Sequence, residues 1–323
     1  MELGPLNRRV TIDYAPEAQA AGEVSFEFTD ENAKPGINPY YVRVVQTDME
    51  MAWRVRRINM DVTRISACSF PLREKDLDYT FKVISEAGFD KIDLVGRMPH
   101  FSVSDPDYDM DELRRVCDRY GVALANIGSY CGRDFVAASE DDRQAAMDDM
   151  KKTLDIGKAF GSKSIRIMPG DGKRASIDTM VPYFRESAEY AEELGIYMGI
   201  ENHGTEISGN PEACQEICEK VDSKYFGILY EPCNLMAAGA DYKSAFDVFK
   251  DYIVHVHIKD GDYNSEGKWE RCMLGDGIID YHWVWDQVEA LGYDRDYALE
   301  FEVGDIEPVE TGYRKWYETW EKG

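Results

Sequence analysis

One β/α unit in the sequence pattern consists of two successive segments, "IYMGIENHG" (196–204) and "NPEACQEICEKVD" (210–222). The first is a short apolar run that breaks at three polar residues, Glu201, Asn202 and His203. In the second, Asn and Pro precede apolar residues at helical spacing, which is typical of a capped helix. A buried strand that ends in a polar cluster and leads into a helix is therefore predicted here.

The same alternation occurs eight times from residue 60 to residue 323. The strand-like segments are "TRISACSF" (63–70), "FDKIDLVG" (89–96), "VALANIGSY" (122–130), "SKSIRIMPG" (162–170), "IYMGIENHG" (196–204), "YFGILYEP" (225–232), "IVHVHIKD" (253–260) and "DYALEFEVG" (296–304). Eight β/α units over this length predict an α/β fold of the (β/α)₈ TIM barrel type, which typically needs about 250 residues. An open doubly wound sheet is less favoured, because no G-x-G-x-x-G pattern follows the first strand.

Residues 1–59 have a different pattern from the barrel region 60–323. Three β-like runs, at 8–15, 23–30 and 40–48, are separated by Gly, Pro, Asn and Asp, and no helical spacing occurs among them. We interpret residues 1–59 as a β-rich N-terminal extension of uncertain role and assign it no chemistry.

The charge and the cysteine content limit the classes of partner and compartment. With 62 acidic and 37 basic residues, the formal net charge is −25, which argues against binding to nucleic acid or to an anionic membrane surface. No apolar run approaches the roughly 20 residues needed to cross a bilayer, and the first residues contain no secretory h-region. Seven cysteines without a CxxC pair favour the reducing cytoplasm. We therefore expect a small-molecule partner.

Four consecutive predicted strands each end in a side chain that can bind a metal. These residues are Glu201, Glu231, His257 and Glu300. Because active sites of such barrels lie at the carboxyl ends of the strands, we expect the four side chains to meet there. Three close carboxylates would repel one another unless a cation neutralised them, so the pattern predicts a metal site.

The ligand set also indicates the kind of metal and the residues around it. Three carboxylates and one imidazole suit Mn²⁺ best, while Mg²⁺, Co²⁺ and Zn²⁺ fit the same set, and the absence of Cys ligands argues against structural zinc. His255 lies two residues before His257 and should point the same way, one layer deeper. His203 and Lys259 lie just beyond the ligands, where we expect substrate contacts and proton transfer. We predict that His203 is a catalytic residue and that Lys259, His255 and Asn202 bind substrate.

At "IENH" (200–203), "YEPCN" (230–234), "HVHIKD" (255–260), "LGDGIIDY" (274–281) and "YALEFE" (297–302), the chain resembles the xylose isomerase-like barrel family. This family contains sugar isomerases and epimerases, with inosose dehydratase, the barrel subunit of C-glycoside deglycosidases and endonuclease IV as relatives. The resemblance implies that Glu201, Glu231, His257 and Glu300 bind a metal and that Glu201 and Glu300 are the acid/base pair. Glu231 occupies a position where the family usually has Asp.

The resemblance implies a metal-dependent isomerase or epimerase that moves a proton through an enediolate. The alternative is a lyase of the same fold, acting on a keto-inositol or a 3-keto C-glycoside with His203 as the base. The negative charge argues against an endonuclease IV-type activity, and so does the presence of only five histidines, because that enzyme's three-zinc site is rich in His. The complete ligand set argues against a non-catalytic sugar-binding barrel. A homo-oligomer and a small β-rich partner subunit both remain open.

The loops after the first strands should form the substrate pocket. Among them, "RMPHFSVSDPD" (97–107) and "SYCGRDF" (129–135) contain Arg97, His100 and Arg133. We interpret these three as solvated loop residues, and contact with substrate hydroxyls or a phosphate is the alternative.

Overall fold

The structure, a computed structural model, describes residues 60–322 and, before them, residues 2–4, 10–11, 41–45 and 50–51. The chain divides into two compact units, Met1–Met60 with Trp320–Gly323, and Asp61–Thr319. In the first unit, the described residues form four short strands, β1 (Glu2–Gly4), β2 (Val10–Thr11), β3 (Tyr41–Val45) and β4 (Glu50–Met51). They pair as an antiparallel sheet in the order β2-β1-β3-β4, and the predicted run at 23–30 lies outside the described residues.

The second unit contains a closed barrel of eight parallel strands. The barrel strands are β5 (Ile65–Cys68), β6 (Lys91–Val95), β7 (Ala123–Gly128), β8 (Ser164–Ile167), β9 (Tyr197–Glu201), β10 (Phe226–Tyr230), β11 (Ile253–Ile258) and β14 (Tyr297–Leu299). Around the barrel they follow one another in chain order, and β14 pairs with β5 to close it. The predicted (β/α)₈ fold is confirmed, with every predicted strand segment supplying one barrel strand.

Helices connect the barrel strands. Their bounds are α1 (Leu77–Ala87), α2 (Met110–Tyr120), α3 (Glu140–Ala159), α4 (Ile177–Leu194), α5 (Pro211–Val221), α6 (Pro232–Ala237), α7 (Tyr242–Phe249), α8 (Tyr281–Ala290) and α9 (Val309–Lys322). The side chains of Asp76, Ser139 and Asn210 each accept a hydrogen bond from a backbone N–H three residues later, so they cap the first turns of α1, α3 and α5. None of the helices in the described part of the chain combines the length and apolar character needed to cross a bilayer.

Two elements were absent from the sequence prediction. The short helix α6 follows β10 directly, and an antiparallel hairpin of β12 (Asp260–Tyr263) and β13 (Trp269–Cys272) follows β11. The buried carboxylate of Asp260 accepts hydrogen bonds from the backbone N–H groups of Gly275 and Gly277, at 3.0 and 2.8 Å. Asp260 thereby ties the segment after the hairpin to the end of β11.

The barrel interior contains polar side chains that alternate with the apolar core. In β6, Ile92 and Leu94 are fully buried and alternate with Asp93, which is also buried. Successive side chains of a strand point to opposite faces, so the apolar residues face the helices while Asp93 points into the barrel. Asn126 in β7 and Ser164 in β8 are likewise buried and hydrogen-bonded to each other. The barrel therefore holds a polar layer beneath its carboxyl end.

Candidate metal centre

The four predicted ligands come together at the carboxyl ends of adjacent barrel strands. Glu201 ends β9, Glu231 follows β10 and precedes α6, His257 lies near the end of β11, and Glu300 follows β14. All four side chains are buried, and one ligand atom from each lies within 4.8 Å of the others. His257 Nδ1 is 3.2 Å from Glu201 Oε1 and 3.6 Å from both Glu231 Oε2 and Glu300 Oε2.

The surroundings of His257 fit a divalent cation. Its Nε2 lies 2.9 Å from Asp93 Oδ2, whereas Nδ1 faces the three glutamates and has no hydrogen-bond partner among the described residues. Burial lowers the pKa of His257, but Asp93, Glu201, Glu231 and Glu300 outweigh it and raise the pKa well above its usual value. The negative field that attracts a proton to this nitrogen attracts a metal ion in the same way, and oxygen and imidazole donors suit hard and borderline divalent ions.

Lys259 lies inside the glutamate cluster rather than beyond it. Its buried ammonium is 2.7 Å from Glu231 Oε1, 2.7 Å from Glu300 Oε2 and 2.6 Å from Glu302 Oε2. Glu302 also pairs with Arg271 of the β12–β13 hairpin, at 3.0 Å. The prediction of substrate binding by Lys259 stays a prediction, and its observed contacts are all with carboxylates.

Arg166 is a second buried cation at the cluster, and the sequence reasoning did not identify it. It lies in β8, its Nη1 donates to Glu201 Oε2 at 2.9 Å, and its other nitrogens donate to the backbone oxygens of Gly128 and Ser129. Its guanidinium also lies 4.4 Å from the centre of the Tyr130 ring. A charged residue within the apolar run "SIRI" was the available signal in the sequence.

The three glutamates differ in their pKa values although all are buried. Burial raises the pKa of Glu201, but Arg166 and His257 together outweigh burial and lower the pKa to about 2. For Glu231, burial outweighs the attraction of Lys259 and raises the pKa to about 7. For Glu300, Lys259 and His257 outweigh burial and lower the pKa well below its usual value. Glu201 and Glu300 are therefore ionised at neutral pH, as a proton acceptor must be.

Asp93 connects two histidines below the ligand layer. His255 Nε2 and His257 Nε2 lie 3.1 and 2.9 Å from the same oxygen, Asp93 Oδ2. Burial raises the pKa of Asp93, but the two histidines outweigh it and lower the pKa. His255 is as deeply buried as His257, and its Nε2 contacts Asp93. Substrate binding by His255 stays a prediction.

Asn202 and His203, the other predicted site residues, have different environments. Asn202 is fully buried, its Oδ1 accepts from the backbone N–H of Glu231 at 3.1 Å, and its Nδ2 donates to Ser208 O. Asn202 thus holds the backbone of Glu231, and its role in substrate binding stays a prediction. His203 is exposed, and its Nδ1 accepts from the backbone N–H of Gly204 at 3.0 Å.

Two cavities are lined mainly by residues of helix α3 and of the loops that follow β6, β7 and β8. One, of about 180 Å³, is lined in part by Phe101, Tyr130 and Arg133. The other, of about 440 Å³, extends from Arg133 to Thr205. Arg97 and Arg133 are exposed, but the interpretation of His100 as a solvated residue is wrong, because its ring is fully buried.

Comparison with known proteins agrees with this architecture. A sequence profile described as "xylose isomerase-like TIM barrel" matches residues 81–321. An uncharacterised protein of Methanocaldococcus jannaschii is 25% identical over 240 residues, 70% of this chain and 79% of that protein. Inosose dehydratase of Geobacillus thermodenitrificans is 25% identical over 140 residues, 39% of this chain and 47% of the enzyme. L-ribulose-5-phosphate 3-epimerase of Salmonella heidelberg is 20% identical over 225 residues, 67% and 78% of the two chains.

Two solved structures have the same fold. A xylose isomerase-like TIM barrel protein from Mycobacterium smegmatis, in complex with magnesium, has a TM-score of 0.67 and 16% identity, covering 80% of this chain and 96% of its own. The IolI protein with a bound zinc atom has a TM-score of 0.63 and 16% identity, with the same coverage. At this level of identity, the similarity is one of fold.

Proposed function

Because the chain belongs to the xylose isomerase-like TIM barrel family, we propose that it is a divalent-metal-dependent isomerase or epimerase of a sugar or keto-sugar. The observation that carries the proposal is the buried cluster of Glu201, Glu231, His257 and Glu300 around one point. The magnesium and zinc bound by proteins of the same fold support a divalent ion in this cluster. We propose Mn²⁺ as the ion that suits three carboxylates and one imidazole best.

The metal, when bound by these four residues, would act as a Lewis acid toward a substrate carbonyl and its neighbouring hydroxyl. Glu201 and Glu300 are the proposed proton carriers: one removes the proton α to the carbonyl, and the other, which is ionised in the free protein, takes up a proton from water and returns it to the substrate. Return to the same carbon gives epimerisation, and return to the neighbouring carbon gives isomerisation. Arg166 holds Glu201 and Lys259 holds Glu300, so each carboxylate has a fixed orientation before substrate arrives.

A lyase that uses His203 as its base is the second candidate, and the similarity to inosose dehydratase supports it. In that reaction, a proton leaves and a β-substituent is expelled. A neutral imidazole has only one acceptor nitrogen, and in His203 that nitrogen already accepts from Gly204 N–H. The base role would require this hydrogen bond to break, so the contact favours the isomerase or epimerase.

We propose a small carbohydrate, rather than nucleic acid or a membrane, as the partner, because the net charge of −25 disfavours both polyanionic surfaces. We further propose a cytoplasmic location and a domain boundary between residues 59 and 60. For the assembly, we propose either a homo-oligomer or a complex with a small β-rich partner subunit.

One experiment tests the proposed reaction. The purified protein is analysed for bound metal and then incubated in D₂O with ketoses, keto-inositols and 3-keto-glycosides, with NMR detection. Deuterium at the carbon next to the carbonyl in an intact, rearranged sugar supports the isomerase or epimerase. Release of a β-substituent indicates the lyase, and turnover that survives complete metal removal overturns the proposal.

A further inference from the structure

We infer that Asp93 is a positioning residue that fixes which nitrogen of His257 faces the metal. The inference rests on the proposed metal site, and it concerns a residue of β6, a strand that contributes none of the four ligands. Asp93 touches His257 through the interior of the barrel, since three strand-to-strand steps separate β6 from β11.

The hydrogen bond determines the tautomer. Asp93 Oδ2 lies 2.9 Å from His257 Nε2, and an ionised carboxylate only accepts hydrogen bonds. The proton of a neutral His257 is therefore on Nε2, and its lone pair is on Nδ1, the nitrogen that faces the three glutamates. A ligand imidazole commonly needs such an acceptor behind it to fix its tautomer and ring orientation.

The carboxylate itself is fixed by a chain of hydrogen bonds across the barrel. Asn126 Nδ2 donates to Asp93 Oδ1 at 2.9 Å, and Ser164 Oγ donates to Asn126 Oδ1 at 2.7 Å. All three residues are at most 1% exposed, so water does not compete for these bonds. Asp93 Oδ1 is thus directed to Asn126, which leaves Oδ2 for the two histidines.

A second metal bound by Asp93, His255 and His257 is the competing interpretation, because these three residues also lie close enough to share an ion. That ion would have to replace both N–H···O contacts with Asp93 Oδ2. It would also take His257 Nε2, while Nδ1 of the same ring faces three glutamates. In the orienting role, His257 Nε2 carries the proton that Asp93 accepts and Nδ1 faces the proposed metal, so no second ion is needed.

The test compares two substitutions of Asp93 by their effect on Co²⁺ binding, measured by titration and by the visible absorption spectrum of bound Co²⁺. Asp93→Leu removes both acceptor oxygens and keeps a similar side-chain volume. We therefore expect Co²⁺ affinity to fall by roughly 10- to 100-fold and the spectrum to change, because the imidazole is misplaced. Asp93→Asn keeps one acceptor oxygen for the histidines if the Asn126 amide turns over and donates to Ser164. We expect Asp93→Asn to retain the wild-type spectrum and to lose less than about tenfold in affinity.

Asp296→Asn is the matched control. Asp296 is a buried carboxylate at the amino end of β14, paired with Lys91 at 2.5 Å, and it contacts none of the four ligands. This variant should lose stability and keep both Co²⁺ affinity and spectrum.

The outcomes separate the inference from the proposed function. If the wild type binds no Co²⁺, the metal site itself fails and the inference with it. If the wild type binds Co²⁺ and Asp93→Leu binds it equally well, or if Asn and Leu are equally damaging, the orienting role is overturned while the metal site stands. If Asp93→Leu does not fold, a long-range ¹H–¹⁵N spectrum of the Zn²⁺-loaded wild type decides. A His257 proton on Nε2 supports the inference, and one on Nδ1 overturns it.

Discussion

In the proposed site, Glu300 and His257 have different roles: Glu300 is a metal ligand and proton carrier, and His257 is the imidazole ligand. Glu300→Gln keeps the shape but removes the charge that pairs with Lys259, and His257→Ala removes the only imidazole ligand of the proposed site. We expect both variants to bind less divalent metal and to lose turnover by at least about 10²-fold. Metal content by mass spectrometry and turnover assays measure this. Glu192→Gln, a change at an exposed glutamate, is the control and should keep both metal content and turnover. Full metal occupancy in both Glu300→Gln and His257→Ala would contradict the proposed ligand set.

His203 separates the two candidate reactions. If Glu201 and Glu300 carry the protons, His203→Gln removes only a hydrogen-bonding group at the rim, and activity should fall on the order of tenfold, about 1.4 kcal/mol. If the imidazole is the base of a lyase, loss of the proton acceptor should cost about 10²–10⁴-fold. Steady-state rates of metal-loaded protein distinguish these values. We expect the mild loss, and a collapse of activity with metal retained would favour the lyase.

The sequence predicted the four clustered side chains better than the residues that contact them. Glu201 and Glu231 each end an apolar run, so the barrel topology alone brings them to one rim. Asp93 and Arg166 lie within strands and contact partners on other strands, and a sequence pattern does not state which side chains meet across a barrel interior. The position of Lys259 within the cluster also depends on a side-chain direction that spacing does not fix.

At the scale of elements, His100 joins the start of α1 to the loops after β5 and β6. Its ring nitrogens contact Ser69 Oγ at 3.2 Å, Thr80 Oγ1 at 3.1 Å and the backbone oxygen of Lys75 at 3.0 Å. Burial lowers the pKa of His100 to about 4, although neighbouring backbone oxygens oppose this shift. The folded form therefore holds the ring neutral under conditions in which an unfolded chain would protonate it.

This burial predicts a pH dependence of stability. An unfolded histidine titrates near 6.5, so between about pH 6.5 and pH 4 the unfolded state binds more protons and the free energy of unfolding falls as pH falls. The full effect is roughly 3 kcal/mol. Urea unfolding at several pH values, with chelator present, should show a smaller pH dependence for His100→Asn than for the wild type. Identical slopes in this window would contradict the prediction.

The periodic pattern predicted the eight β/α units but not the β12–β13 hairpin or α6. The hairpin segments "DGDY" (260–263) and "WERC" (269–272) contain too few apolar residues for a strand pattern, and their pairing depends on the turn between them. The helix α6 spans only six residues, which is too short to show helical periodicity.

At the scale of the whole molecule, all eight barrel strands and all described helices lie after residue 60. We therefore expect a protein that lacks residues 1–59 to fold and to bind metal with an affinity close to that of the full chain. Circular dichroism and Co²⁺ titration measure the two properties. An insoluble truncation, or a folded one that binds no metal, would assign residues 1–59 a part in the barrel's stability or site.

The distribution of charge predicts an uncharged substrate. Arg166, Lys259 and Arg271 are each paired with a glutamate, and the whole chain carries a net charge of −25. Arg133, which lines both cavities, lies 5.5 Å from the centre of the Tyr130 ring. A ketose should therefore have a kcat/KM roughly tenfold or more above that of its phosphate. Added salt should narrow the difference because it screens the repulsion of the phosphate. A phosphorylated substrate that is preferred at low ionic strength would contradict this prediction.

The four proposed ligands come from β9, β10, β11 and β14, which form one contiguous arc of the barrel. The loops after β6, β7 and β8, on the other arc, line most of the two cavities, together with α3 and with Thr205 after β9. The proposed ligands lie between residues 201 and 300, whereas most of the cavity lining lies between residues 96 and 172. We therefore expect mutation or recombination in the earlier stretch to change which sugar is accepted and to leave the proposed reaction unchanged, and grafting those loops from a relative should transfer its substrate preference.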